Sequence, residues 1–181
     1  GGTSPAVINI LLALREVEKT GKGKFLDISM TDNLFPFMWM ALGLTANKFY
    51  SKGGDLQLTG GSPRYGIYET LDKGYMALGA LEEKFWLRFC EVIKLPNKFI
   101  NDSINPIATK EAIIEIVKNK NTKEWKEILV NEKNICCSIV NSLEEAMQDS
   151  QIIERQLLTA KMKLGNEEFF PMPTPLAPIW R

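Results

Sequence analysis

The chain contains no histidine. That absence removes every serine or cysteine triad built on imidazole and leaves a zinc site without its usual nitrogen ligand. General acid–base work therefore falls to carboxylates, lysine, tyrosine or cysteine. Cysteine is sparse as well, with only Cys90, Cys136 and Cys137. The adjacent pair cannot bridge without strain, and no spacing matches a metal-ligand motif, so a reduced protein without a metal is expected. Neither sign of charge is in excess, since 22 Lys and Arg balance 22 Asp and Glu, and no net field favours nucleic acid or anionic lipid. No apolar run approaches the roughly 20 residues that span a bilayer, and no charged head precedes an apolar segment. A cytoplasmic protein free of nucleic-acid and membrane partners is the expectation. Methionine does not open the sequence, which starts at Gly1-Gly2, so a piece of a longer polypeptide is expected.

With 45% hydrophobic residues, the chain can still bury a sizeable core. Ser4-Pro5 reads as cap and first-turn proline of a helix running to about Lys19, with Val7, Ile8, Leu11, Leu12 and Leu14 along one stripe. Gly21 to Lys24 stops it before a short apolar segment, Phe25 to Met30, expected as a buried strand. Thr31, Asp32 and Asn33 then offer caps for an apolar helix over Leu34 to Leu44 that requires cover on several sides. Two glycine pairs, Gly53-Gly54 and Gly60-Gly61, make residues 48–64 a linker or mobile loop. Beyond it, Tyr65 to Leu71 and Tyr75 to Leu81 flank Asp72-Lys73-Gly74 as a hairpin, followed by a helix from Glu83 that Pro96 stops. Helices over 110–118 and 122–130, the second opened by the capping box Asn121 to Glu124, precede a buried strand at 135–140. Further helices begin at Ser142 and near Ser150, a hairpin surrounds Gly165-Asn166, and the proline-rich end from Pro171 is extended.

Several residues invite a chemical reading, and each has a structural alternative. Asp27 and Asp32 sit where an open α/β sheet gathers ligands, yet a cap or a backbone partner explains them as well. Gly60-Gly61-Ser62-Pro63-Arg64-Tyr65 lets backbone amides approach a ligand and adds a phenol, or is simply a turn. Glu82 either exchanges a proton in a cleft or complements a helix macrodipole. Cys136 and Cys137 read as buried and inert, and Lys22 and Lys24 as solvated lysines or as phosphate contacts.

Taken in order, Thr20-Gly21-Lys22-Gly23-Lys24 and Leu26-Asp27-Ile28-Ser29-Met30-Thr31-Asp32 resemble the T-G-K/R-G-Q and V-D-V-S-M-x-D stretch of the class III CoA-transferase family, CaiB/BaiF type. Downstream, Gly60 to Tyr68 and Gly79-Ala80-Leu81-Glu82 resemble G-G-A-P-x-Y-x-x-Y and G-A-I-E of its racemase-like branch, and Ile153-Glu154-Arg155 and Pro171-Met172-Pro173 follow in the family's order. The resemblance implies an α/β fold: residues 1–47 end a Rossmann-like large domain as helix, strand and helix, 48–64 link it to a small α+β domain over 65–140, and 141–181 return towards the large domain. It further implies an acyl-CoA substrate, no metal, and an interlocked homodimer whose active site joins the large domain of one subunit to the small domain of the other. The essential aspartate of the family falls just ahead of Gly1, so Asp27 and Asp32 are not that residue. Glu82 matches the small-domain glutamate near the partner's active site, while Gly60, Gly61 and Tyr65 match a loop near the thioester. Two positions depart from the pattern, because Glu83 replaces a proline and Arg64 an often aromatic residue.

These features imply a fragment of a CoA transferase or 2-methylacyl-CoA racemase, inactive alone; the competing reading is an assembly module that keeps the fold without chemistry. The exposed apolar helix over Leu34 to Leu44 implies self-association. Sedimentation of the 181-residue chain is expected to show oligomers, and a clean monomer would contradict the expectation.

Overall fold

The computed structural model describes residues 2–49, 52–158 and 161–169. The chain divides between Lys52 and Gly53 into two compact units.

In the first unit, α1 (Thr3–Thr20) ends at Gly21, whose left-handed φ of 68° lets its N–H reach the Val17 carbonyl at 2.8 Å. The helix opens two residues earlier than expected, with Gly2 and not Ser4 at the cap position. The anticipated strand at Phe25 to Met30 does not form. Its backbone has no partner strand among the described residues, and Phe25 is 94% exposed. A strand is stabilised by cross-strand pairs, so an apolar β-prone sequence alone does not make one. The expected helix over Leu34 to Leu44 is split: residues Asp32–Met38 wind as a 3-10 segment containing Pro36, and α2 (Trp39–Ala46) follows. Proline has no N–H to donate, which favours the tighter turn there. Ser29, rather than Thr31 or Asp32, supplies the local cap, its hydroxyl accepting from the Asp32 N–H at 3.2 Å. None of the described residues 2–49 is buried.

The second unit is built on a three-stranded antiparallel sheet in the order β1 (Tyr65–Glu69), β2 (Tyr75–Gly79), β3 (Cys137–Ile139). Alternation along β1 and β2 sends Tyr68, Met76 and Leu78 inward and leaves Tyr65, Ile67 and Ala77 on the outer face. Helices α3 (Glu83–Ile93), α4 (Pro106–Val117) and α5 (Thr122–Leu129) supply Trp86, Phe89, Ile113, Val117 and Trp125 to the core. Both tryptophans satisfy their indole N–H while buried: Trp86 donates to the Ile100 carbonyl at 2.7 Å and Trp125 to the Val117 carbonyl at 2.9 Å. Helix α4 begins four residues ahead of the expected start, because Asn105 caps it by accepting from the Ala108 N–H and Pro106 fits the first turn.

A single carboxylate ties the hairpin turn to α5. Asp72 accepts from the Thr70 hydroxyl at 2.7 Å, from the Thr122 hydroxyl at 2.8 Å and from the Thr122 N–H at 3.0 Å. Gly74 completes this junction, since a β-carbon there would lie 2.1 Å from the Thr122 hydroxyl oxygen. Beyond β3 come α6 (Leu143–Met147), opened by the Ser142–Glu145 capping box, α7 (Ser150–Glu154), and the short hairpin β4 (Met162–Leu164) and β5 (Glu167–Phe169). The expected proline-rich extension from Pro171 lies outside the described residues.

Hydrogen bonds from Thr70 and Thr122 hold the Asp72 carboxyl down to about 2. An unfolded aspartate titrates near about 3.9, so this group's stabilisation is complete above roughly pH 4 and disappears as pH falls through its folded value. Urea unfolding across that acid range is expected to show a loss of stability that Asp72→Asn flattens. An unchanged pH profile in the variant would contradict the role given to this clamp.

Candidate functional site

Gly60 and Gly61 lie on one turn of π-type helix at Gln57–Gly61, and both glycines are sterically required. Gly60 has φ 111°, a region L side chains rarely enter, and a β-carbon on Gly61 would stand 2.1 Å from the Asp55 carbonyl oxygen. The turn is fastened to α4 by Lys110, whose ammonium donates to the Gly60 carbonyl at 3.1 Å. The stretch expected to be a mobile linker thus packs with the second unit from Gly53 onward. Beside it, the Pro63 carbonyl accepts from the buried Tyr68 hydroxyl at 2.6 Å, and burial raises that phenol above its ordinary pKa.

Arg64 forms the centre of the next layer. Its guanidinium donates to Asp102 at 2.7 and 3.0 Å, to Glu83 at 2.6 Å and to the Leu81 carbonyl at 3.4 Å, and its charge lies 5.0 Å from the Trp86 ring centroid. Burial works against its charge, but the bonds from Asp102 and Glu83 outweigh that and raise its pKa. The two departures from the sequence pattern therefore bind each other: Arg64 and Glu83 form one ion pair across the entrance to α3.

That pairing separates two adjacent acids. Glu83 is engaged, whereas the exposed Glu82 carboxylate has no hydrogen bond or ion pair among the described residues. Backbone geometry fixes Glu82 at the cap position of α3 in an extended conformation, its carbonyl accepting from the Phe85 and Trp86 N–H groups at 3.0 Å. Its side chain makes no cap bond.

On the outer face of the sheet lies a concavity of about 600 Å³. Gly60 and Tyr65 both line it, with Leu58, Ile67, Ala77 and Ser138. Neither Gly61 nor Glu82 lines it. The structure thus brings together two of the four expected site residues. It also adds Cys136, contrary to the buried reading of the cysteine pair: Cys136 is exposed at the rim, and only Cys137 packs inward, its thiol pushed up to about 12 by burial. Cys136 precedes β3 with a left-handed φ of 46°, whereas Cys137 is the first residue of the strand, so the two do not share one environment. In the first unit, Asp27 and Asp32 are exposed, and Lys24 pairs with Glu16 at 2.7 Å. Ile67, Ala77 and Ser138 were not among the expected contacts; they face outward together through the register of three strands.

Arg64→Ala leaves Asp102, only 13% exposed at its side chain, without its cation, and is expected to cost about 3–5 kcal/mol in urea unfolding. Glu83→Gln, at a side chain 64% exposed, is expected to cost less than about 1 kcal/mol. Equal effects of the two substitutions would contradict the assignment of Asp102 as the principal partner.

The chain is 28% identical over 185 residues to alpha-methylacyl-CoA racemase of Homo sapiens and 27% identical over 182 residues to that of Mus musculus. Each match covers 97% of this chain and 46% of the relative, so the chain spans about half the length of those curated proteins. Among solved structures, Rv3272 of M. tuberculosis in its orthorhombic form shares the fold with a TM-score of 0.68 at 18% identity, covering 93% of this chain and 45% of that one. A second crystal structure of Rv3272 gives 0.61 at 17% identity over the same shares. Residues 2–179 match the model of CoA-transferase family III, and the chain belongs to that family.

Proposed function

We propose that the intact protein acts on acyl-CoA thioesters, either transferring CoA between carboxylates or inverting the α-carbon of a 2-methylacyl group. Family membership and the racemase relatives support the substrate class. The observation that carries the reading to particular residues is the contrast between the two neighbouring acids. Glu83 is held by Arg64, while Glu82 keeps an unengaged carboxylate at the end of a strand-to-helix turn that the core fixes in place.

Each residue then has a definite task. Gly60 and Gly61 hold the backbone of their turn in a conformation closed to other residues, and Tyr65 presents its O–H group to the thioester. A thioester oxygen gains negative charge both when a nucleophile attacks its carbon and when the α-proton leaves, and donors fixed beforehand stabilise either state. Glu82 serves as the proton-transferring or orienting carboxylate. The principal aspartate, nucleophile for transfer or acid–base for inversion, comes from polypeptide preceding this chain in the intact protein. Residues 1–47 end the large CoA-binding domain, 65–140 form the small domain and 141–181 return to the large one. An interlocked cytoplasmic homodimer brings the two kinds of domain together, and the chain alone is inactive.

In the protein expressed from the whole reading frame, Glu82→Gln is expected to lower kcat by about 10²–10⁴-fold, with KM for the acyl-CoA little changed. A variant with undiminished kcat would refute this role for Glu82. For the 181-residue chain alone, no α-proton exchange of 2-methylacyl-CoA in deuterated water is expected, and exchange abolished by Glu82→Gln would overturn the inactivity.

A further inference from the structure

Between the end of β2 at Gly79 and the first turn of α3 run Ala80, Leu81, Glu82 and Glu83, and Arg64 bonds to all of them but Glu82. Its backbone carbonyl accepts from the Ala80 N–H at 2.9 Å. One guanidinium nitrogen, Nη1, donates to the Glu83 carboxylate at 2.6 Å and more distantly to the Leu81 carbonyl at 3.4 Å. Arg64 therefore grips the chain on both sides of the acid whose own carboxylate has no bond among the described residues.

Stability alone does not require the Nη1 bonds. Asp102, the largely buried partner, takes its two bonds from Nε and Nη2 and none from Nη1. Glu83 is 64% exposed at its side chain, where an ion pair contributes little to folding. A lysine would neutralise Asp102 as well, but only the planar fork of arginine meets Asp102 and both neighbours of Glu82 at once. The fork is also kept from swinging away. Trp86 lies under it, with the ring centroid at 5.0 Å, and the Trp86 indole ties the Ile100 carbonyl, two residues before Asp102, to α3.

Resting on the role given to Glu82 above, we infer that Arg64 is a positioning residue for the reaction, acting through Glu83 and the Leu81 carbonyl to hold the Glu82 carboxylate in one approach to the thioester. Arg64 itself touches no substrate. Its effect is kinetic, because displacing a reacting group by on the order of 1 Å costs up to about 10²-fold in rate. Its pairing with Glu83 also leaves a single free acid at the turn, where two adjacent carboxylates would otherwise compete.

The test uses the protein expressed from the whole reading frame and its turnover of acyl-CoA. Arg64→Lys, which keeps a cation beside Asp102, is expected to lower kcat about 10- to 100-fold with KM little changed, and Glu83→Ala, at an exposed side chain, about 3- to 10-fold. Glu83→Gln, whose amide oxygen still accepts from Nη1, is expected to recover most of the Glu83→Ala loss. In a Glu82→Gln background, either Arg64→Lys or Glu83→Ala is expected to add less than about twofold, since groups that act through one another are not additive. Where Arg64→Lys fails to fold, Glu83→Ala in the two backgrounds decides alone. Losses that multiply in the double variants, or an undiminished kcat in Glu83→Ala while Glu82→Gln is impaired, would overturn the inference and leave the Glu82 reading standing. An undiminished kcat in Glu82→Gln would instead overturn that reading and the inference with it.

Discussion

A guanidinium 16% exposed at its side chain joins the three segments on which the candidate site depends. Arg64 leaves the glycine-bearing turn, crosses the Trp86 ring, and bonds at once to the Leu81 carbonyl, Glu83 and Asp102. Charge buried to this degree is costly unless each donor is answered, and here acceptors converge from segments that are 17, 19 and 38 residues away. The consequence is local and chemical. The turn before β1 and the turn before α3 cannot shift independently, which fixes Gly60, Tyr65 and Glu82 on one scaffold.

The same logic of a few well-satisfied polar groups recurs across the second unit. Asp72 secures the hairpin to α5, Tyr68 seats the Pro63 carbonyl, and the indoles of Trp86 and Trp125 close the ends of loop and helix. Around them the apolar residues pack on one face of the sheet only. Its other face remains open between the 57–61 turn and β3.

Much of this unit was legible in the sequence, because its signals are local. Asp72-Lys73-Gly74 between alternating strands marked the hairpin, and Asn121 and Ser142, each followed by glutamate three residues later, marked helix starts that the structure keeps as capping boxes. What could not be read locally depended on partners distant in the chain. The Arg64–Asp102 pair and the Asp72 clamp on Thr122 have no sequence pattern, and the strand at Phe25 to Met30 required a neighbouring strand that local propensity does not supply. Of the site, the glycines and Tyr65 were visible through a resemblance. The small outward residues Ala77 and Ser138 were not, since their meaning comes from register across three strands.

The central proposal is that Tyr65 and the Glu82 turn contribute to an acyl-CoA site in the intact protein. A crystal structure of the whole protein bound to an unreactive thioether analogue of a 2-methylacyl-CoA tests it directly. The account predicts the thioester beside the Tyr65 hydroxyl and the Glu82 carboxylate directed at the reacting carbon. An analogue bound elsewhere, with Tyr65 and Glu82 out of its reach, would contradict it.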